Sequence, residues 1–440
     1  MAKHRVSFWR TTAASAAAMF ALTALMAGLL AWGWSWQSPY WATYLGLALA
    51  VVLIMPLAAV SGLIAAGGLI ALQRDSLEAV GQPYAQPSPR EAASTFIVPA
   101  LRALLGSARL GLCPGDDVEV RPLGEILQTL DANGRLDGLP FMPEMAAYCG
   151  KRARVFRRVD KLNDWIHGVG LKRMRGLVLL NGLRCDGSAH GMCQSNCHLR
   201  WREEWLRRLP HAGLAGEPAE HSPPPESQIA TLSAFASRQN DAGTQMRYVC
   251  QATELTAGGV PMHLADPRHY VRDFLTGNVR LKPLCISASL AAFNRVQRKS
   301  RGTPFPHYIG RATDMANVAL DLRPGDLVRV KSKDLIELTL NSQSRNRGLY
   351  FDREMIRFCG GVYRVKARLE RVIVEKTGEL RQLTNPCIIL DGIIATGEFQ
   401  GLNPENEYIF WREVWLERFE PSATQSPMST RLSSDDGHSN

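Results

Sequence analysis

Three cysteines and a histidine fall within thirteen residues of this chain, in the segment GLRCDGSAHGMCQSNC at 182–197. Cys185, Cys193 and Cys197 are separated by seven and three residues, and His190 lies between the first two. Thiolate and imidazole are soft-to-borderline donors suited to zinc or to an iron–sulfur cluster. Gly182, Gly187 and Gly191 permit the tight backbone path that would bring three sulfurs together. His190 is the first choice of fourth ligand and Cys149 the second, with His198 and Cys250 behind them. The spacing matches neither the C-x2-C nodes of zinc ribbons nor a ferredoxin run. Structural zinc, an iron–sulfur cluster and unmetallated thiols all remain open at this level.

The elements that must position these residues occur twice. Residues 112–209 align without a gap to 322–419 at a constant offset of 210, with roughly one position in three identical. PGDDVEV (114–120) returns as PGDLVRV (324–330), EMAAYCG (144–150) as EMIRFCG (354–360), and WREEWLRR (201–208) as WREVWLER (411–418). The cysteine segment does not return. Ala395, Gln400, Asn403 and Glu407 stand where the first copy has Cys185, His190, Cys193 and Cys197. Cys149 has a partner in Cys359, so a shared packing role explains both, since free cysteine behaves as a small hydrophobe. Glu144 and Glu354 read as helix-first-turn residues, Asp116 and Asp326 as turn caps. The paired tryptophans 201/411 and 205/415 read as core.

CDGSAH (185–190) resembles the ligand core of the CDGSH iron–sulfur family, whose cluster is held by three Cys and one His. Cys185 and His190 match two of those ligands. Ala189 displaces the histidine by one place and the upstream C-x-C pair is absent, so the resemblance is an analogy for Cys3His ligation. The stretches 134–150 and 182–197 are similar to those of an uncharacterised bacterial family with a GLRCDGSAHGxCQxxC-type motif. That resemblance spans most of the first copy and implies no reaction.

Each PGDxVxV segment marks a turn entering a strand with alternating valines. Short helices are expected at 123–131 and 333–341, a helical turn at 143–150, and strands at 152–160, 176–184 and 198–206 with counterparts at 362–374, 386–394 and 408–416. This pattern predicts a small β-rich domain with helical insertions, an SH3-like barrel or an α+β fold. The expected order is a membrane hairpin (1–80), a linker (81–95), repeat domain 1 (96–209), a Pro-rich linker (210–227), a mixed connecting region (228–320), repeat domain 2 (321–420) and a disordered tail (421–440). Within the connecting region, helices are expected at 266–278, capped by Asp266, and at 283–300.

No Asp, Glu, Lys or Arg occurs from Thr11 to Gln73. The apolar runs 12–34 and 42–72 each exceed the ~20 residues that span a bilayer as a helix. Tryptophan and tyrosine crowd the turn between them, and Lys3, Arg5, Arg10 and Arg74 flank the pair. The expectation is therefore a membrane-anchored α+β protein: a two-helix transmembrane hairpin in a bacterial inner membrane, with the remaining domains facing the cytoplasm. Nine cysteines, an odd number, facing a reducing compartment argue against a disulfide framework.

The net charge of +10 suits an anionic partner. Arg152, Arg154, Arg157 and Arg158 form the densest basic run and are candidates for an anion- or nucleic-acid-binding stripe. Phosphate-loop, dinucleotide-binding, zinc-protease and serine-hydrolase motifs are absent. The function expected is a non-enzymatic binding or assembly protein, partnered by the lipid bilayer and another protein, whose first domain is stabilised by zinc. An iron–sulfur redox or sensor protein and a nucleic-acid-binding barrel are the alternatives.

Overall fold

The computed structural model describes residues 111–168, 170–210, 225–239, 245–263, 266–300, 305, 308, 310–313 and 318–420. In the first copy, β1 (Asp117–Val120) is followed by a helix (Leu123–Leu127), the short hairpin β2 (Arg135–Leu136) and β3 (Leu139–Pro140), and a 3-10 turn (Pro143–Tyr148). Then come β4 (Arg152–Arg158), β5 (Lys161–Asp164), β6 (Gly170–Arg173), β7 (Leu177–Arg184), β8 (His198–Arg202), a 3-10 turn (Glu203–Trp205) and β9 (Leu206–Arg208). The connecting segment carries a helix (Glu226–Phe235), β10 (Ser237–Gln239), β11 (Met246–Tyr248), β12 (Val260–Pro261) and helices Pro267–Leu275 and Leu281–Lys299. The second copy holds β13 (Leu327–Val330), a helix (Lys333–Glu337), β14 (Arg345–Asn346), β15 (Leu349–Tyr350), a 3-10 turn (Arg353–Phe358), β16 (Val362–Val374), β17 (Glu379–Ile394), β18 (Tyr408–Trp411), a 3-10 turn (Glu413–Trp415) and β19 (Leu416–Arg418).

Both copies build the same five-stranded antiparallel sheet, in the order β8-β7-β4-β1-β9 and β18-β17-β16-β13-β19. The registers repeat at the sequence offset: Val118 pairs with Ala153 and Arg208, and Val328 with Tyr363 and Arg418. Alternation puts Val118 and Val120, and likewise Val328 and Val330, into the core without exposure. Trp201 and Trp205 close the first core edge-on to Phe141, and Trp411 and Trp415 close the second around Phe351. Asp116 and Asp326 accept from the backbone amides of Cys113 and Arg323 at 3.0 and 2.9 Å, capping their turns. The copies differ beyond this sheet. The second extends β16 and β17 into one long hairpin, whereas the first breaks it and pairs β5, β6 and β12 in a separate sheet.

Two expectations are corrected. No helix among the described residues is long and apolar enough to cross a membrane. The membrane-anchored α+β class, the transmembrane hairpin and the inner-membrane placement are therefore not carried forward, and the spans 12–34 and 42–72 lie outside the described residues. The described chain is a set of small antiparallel sheets with a few helices. In each five-stranded sheet the last strand pairs with the first, and among the described residues no pairing joins β8 to β9 or β18 to β19. Within the expected linker at 210–227, a helix already begins at Glu226. The tail 421–440 lies outside the described residues.

Candidate metal centre

The cysteine segment is the loop between β7 and β8, and backbone contacts set its frame. The Cys185 amide donates to the Cys197 carbonyl at 2.8 Å and closes the base. The amides of His190 and Met192 both donate to the Gly187 carbonyl, at 2.9 and 3.0 Å. Gly187 sits at φ +74°, and a Cβ there would lie 2.0 Å from the Cys193 carbonyl oxygen, so only glycine fits. The second copy builds the same loop without the ligands. Ala395 donates to Glu407 at 2.8 Å, Gln400 and Leu402 donate to Gly397, and a Cβ on Gly397 would lie 2.2 Å from the Asn403 oxygen.

On this frame, Glu144, Cys185 and His190 converge, with one ligand atom from each inside 4.8 Å of the others; this group could hold a metal ion. Glu144 arrives from the 3-10 turn Pro143–Tyr148. Its Oε1 accepts the Cys185 thiol at 2.9 Å and lies 3.1 Å from His190 Nδ1. The histidine ring is oriented from behind, with Nε2 3.2 Å from the Val249 carbonyl. A carbonyl oxygen only accepts, so Nε2 carries a proton, and Nδ1 faces the Glu144 carboxylate. Both groups are buried, and neither His190 Nδ1 nor Glu144 Oε2 has a hydrogen-bond partner. A cation between them satisfies both atoms. Burial, and then Glu144, drive the Cys185 thiol well above its ordinary pKa, while the Gly187 amide pointing at the sulfur opposes that.

The other sequence candidates are placed differently. Cys193 and Cys197 stand outside the convergent group, on the wall of a cavity of about 560 Å³ that Cys185, His190 and Cys250 also line. Cys193 accepts a hydrogen bond from the Ile373 amide of the second copy at 3.4 Å. Burial raises Cys197 well above its ordinary pKa and pushes Cys250 up to about 11. Cys149 packs against the first core, its thiol pushed up to about 12 by burial, and Cys359 does the same in the second copy. His198 is used elsewhere: it stacks on Phe156, and its nitrogens lie 2.8 Å from the Leu180 carbonyl and 3.1 Å from Asn406 Nδ2. Burial pulls its pKa down to about 3.

Sequence reasoning passed over Glu144 as a helix-turn residue. Its one available signal was its recurrence as Glu354 beside a second buried loop, where Thr396 donates to it in place of Cys185. The seam between the copies was also invisible. Gln194 exchanges hydrogen bonds with β16 at Glu370 and Arg371, Arg184 donates to the Asn406 carbonyl, and the His198 amide donates to Glu407.

The basic run is largely consumed. A bulge between Val155 and Arg157 breaks the strict alternation of β4. Arg158 turns inward, bound to Asp160 and Glu203, and Arg154 holds Asp117 at 2.8 Å. Arg157 lies over the Phe156 ring, and Arg152 is half-buried.

Across the cavity, Glu405 and Glu407 of the second copy are held up to about 8 and about 7, by burial first and with the Arg200 guanidinium opposing it. A carboxyl whose folded pKa is raised binds more protons folded than unfolded, so stability falls as pH rises from the unfolded value toward the folded one. The contribution of these two carboxyls to stability should therefore decline between about pH 4.5 and 8, and urea midpoints of Glu405→Gln should fall less, or rise more, than those of the parent protein over that window. An equal slope in the variant would show that Glu405 is not responsible. No protein-family model and no curated protein matches this sequence.

Proposed function

We propose that the protein binds one zinc ion through Glu144, Cys185 and His190, and that it is a metal-dependent binding protein with no catalytic role assigned. The observation that carries this reading is the buried pair of unpartnered atoms, His190 Nδ1 and Glu144 Oε2, beside a thiol. Carboxylate, thiolate and imidazole together form a borderline donor set suited to zinc. With three protein ligands, zinc keeps a position for a further ligand. Cys185 and His190 line the cavity, so that position is available to whatever enters it.

A scaffolding role alone fits the duplication less well. The 395–407 loop keeps the same backbone bonds with Ala395 and Gln400 in the ligand positions, so folding the loop needs no metal.

Metal analysis of the full chain tests the reading. About one zinc per chain is expected, with affinity weakened about 100-fold or more in Cys185→Ser, His190→Ala and Glu144→Gln. Cys193→Ser and Cys197→Ser should retain the metal. Loss of metal in those two variants with retention in Glu144→Gln would replace this ligand set with a Cys3His one. A brown protein with visible absorption and labile sulfide would replace zinc with an iron–sulfur cluster.

A further inference from the structure

The cavity wall opposite the cysteines carries a charge imbalance that the metal reading does not use. Its lining includes five carboxylates, from Asp352, Glu354, Glu375, Glu405 and Glu407, against the guanidinium of Arg200 and the ammonium of Lys376. Lys376 is exposed, so Arg200 is the buried counter-charge. It does not satisfy the acids. Arg200 Nη1 is committed to the Gln251 carbonyl at 2.8 Å, and Nη2 stands 3.9 Å from Glu405 and 3.7 Å from Glu407, beyond hydrogen-bond distance.

Three buried oxygens on this wall have no hydrogen-bond partner: Glu405 Oε1, Glu354 Oε1 and Asn403 Oδ1. Their residues are exposed by 5%, 3% and 3%. With the carboxyls ionised, all three atoms are acceptors, so whatever satisfies them in that state must donate. A buried acceptor left unsatisfied costs about 1–3 kcal/mol, and more when charged. The carboxylates do not converge into a tight chelate, since the group found within 4.8 Å is the Glu144 one. The acceptors are spread around a space of about 560 Å³ that Trp165, Ile166, Leu255, Val372, Ile373 and Phe410 also line. Spread acceptors with apolar walls between them suit a cation with a hydrocarbon body better than a bare ion.

We propose that this cavity binds a small aliphatic amine, with its ammonium hydrogen-bonded by Glu405 and its chain against the apolar wall. An ammonium group offers three donors and no acceptor, which matches the orphaned oxygens. The acids belong to the second copy, and the amine would share its cavity with Cys185 and His190 without using either as a partner. Arg200, Arg184, Cys197 and neutral His198 from the first copy and Glu375 from the β16–β17 hairpin are charged or titratable groups around Glu405 and Glu407. Binding an ammonium favours ionised carboxylates, so affinity rises with pH from 6 to 8.

Titration calorimetry on the full-length protein with 1,5-diaminopentane tests the assignment, with glutarate and magnesium ion as controls. Saturable binding of the diamine is expected, weakened at least about tenfold in Glu405→Gln. Glu407→Gln is the second variant, with a weaker loss in the same direction. Zinc content measured on the same samples separates this result from the metal reading. Absence of saturable diamine binding, equal binding by Glu405→Gln and Glu407→Gln with circular dichroism unchanged, or binding of magnesium in place of the diamine would each overturn the proposal.

Discussion

Replacing Arg158 with methionine is expected to destabilise the protein by about 3–5 kcal/mol, the range for stripping one partner from a buried ion pair. The guanidinium binds Asp160 through Nε and Nη2 at 2.9 and 3.0 Å and Glu203 through Nη1 at 2.8 Å, and it also donates to the Leu112 carbonyl. The three side chains are almost fully buried, at 3%, 8% and 1% exposure. Methionine fills the volume and leaves two acids without their shared cation. Arg272 retains one contact to Asp160 at 3.2 Å, and the amides of Gly111 and Leu112 retain Glu203.

The second copy supplies a matched control. Arg368 holds Glu370 and Glu413 in the equivalent arrangement, yet Arg368 is 28% and Glu370 47% exposed. Water can reach Arg368 and Glu370 there, while Glu413 is only 7% exposed, so Arg368→Met should cost less than Arg158→Met. Urea midpoints of the two variants make the comparison, and equal losses would show that burial does not set the cost.

The second large effect is expected at Gly187. Alanine there must hold φ near +74° and place its Cβ 2.0 Å from a backbone oxygen. The left-handed conformation alone costs about 1–2 kcal/mol, and the clash forces the loop apart in addition. Gly187→Ala should therefore cost at least about 2 kcal/mol and abolish zinc binding, since Cys185 and His190 flank the displaced segment. Gly397→Ala meets the same obstruction at 2.2 Å and should cost as much, with zinc binding intact. Gly182 has a similar φ of +75° but open space around its would-be Cβ, so Gly182→Ala should cost only about 1 kcal/mol. A Gly187→Ala protein that keeps zinc would remove the link between loop shape and metal binding.

Much of the scaffold was legible because it depends on local rules. Valine alternation fixed the inward face of β1 and β13, Asp116 and Asp326 announced their turns, and Asp266 with Pro267 announced a helix that begins at Pro267. The Arg152–Arg158 run shows where local rules stop. Strand periodicity assigns a side chain to one face, but it does not report a bulge or what covers that face. At Arg158 the bulge redirects the side chain, and Asn278 and the chain entering at Leu112 close over it. Cys193 and Cys197 illustrate the same limit: sequence proximity to Cys185 put them on one loop, and the positive-φ turns at Met192 and Asn196 decide where that loop carries them.

The sequence by itself determined the two loops, because the glycines that shape each one and the backbone bonds that close it lie within thirteen residues. It also determined that only the first loop carries soft ligands. The tertiary structure alone decided which residues meet. Glu144 reaches Cys185 across 41 positions, and Arg184 reaches Asn406 across 222. The first contact depends on how one copy folds over its own loop and the second on how the two copies pack, and packing complementarity is a property of surfaces that no short stretch of residues encodes. The tertiary structure sets a buried imidazole with an unpartnered Nδ1 against a carboxylate on one side of the cavity and a row of unsatisfied acceptors on the other.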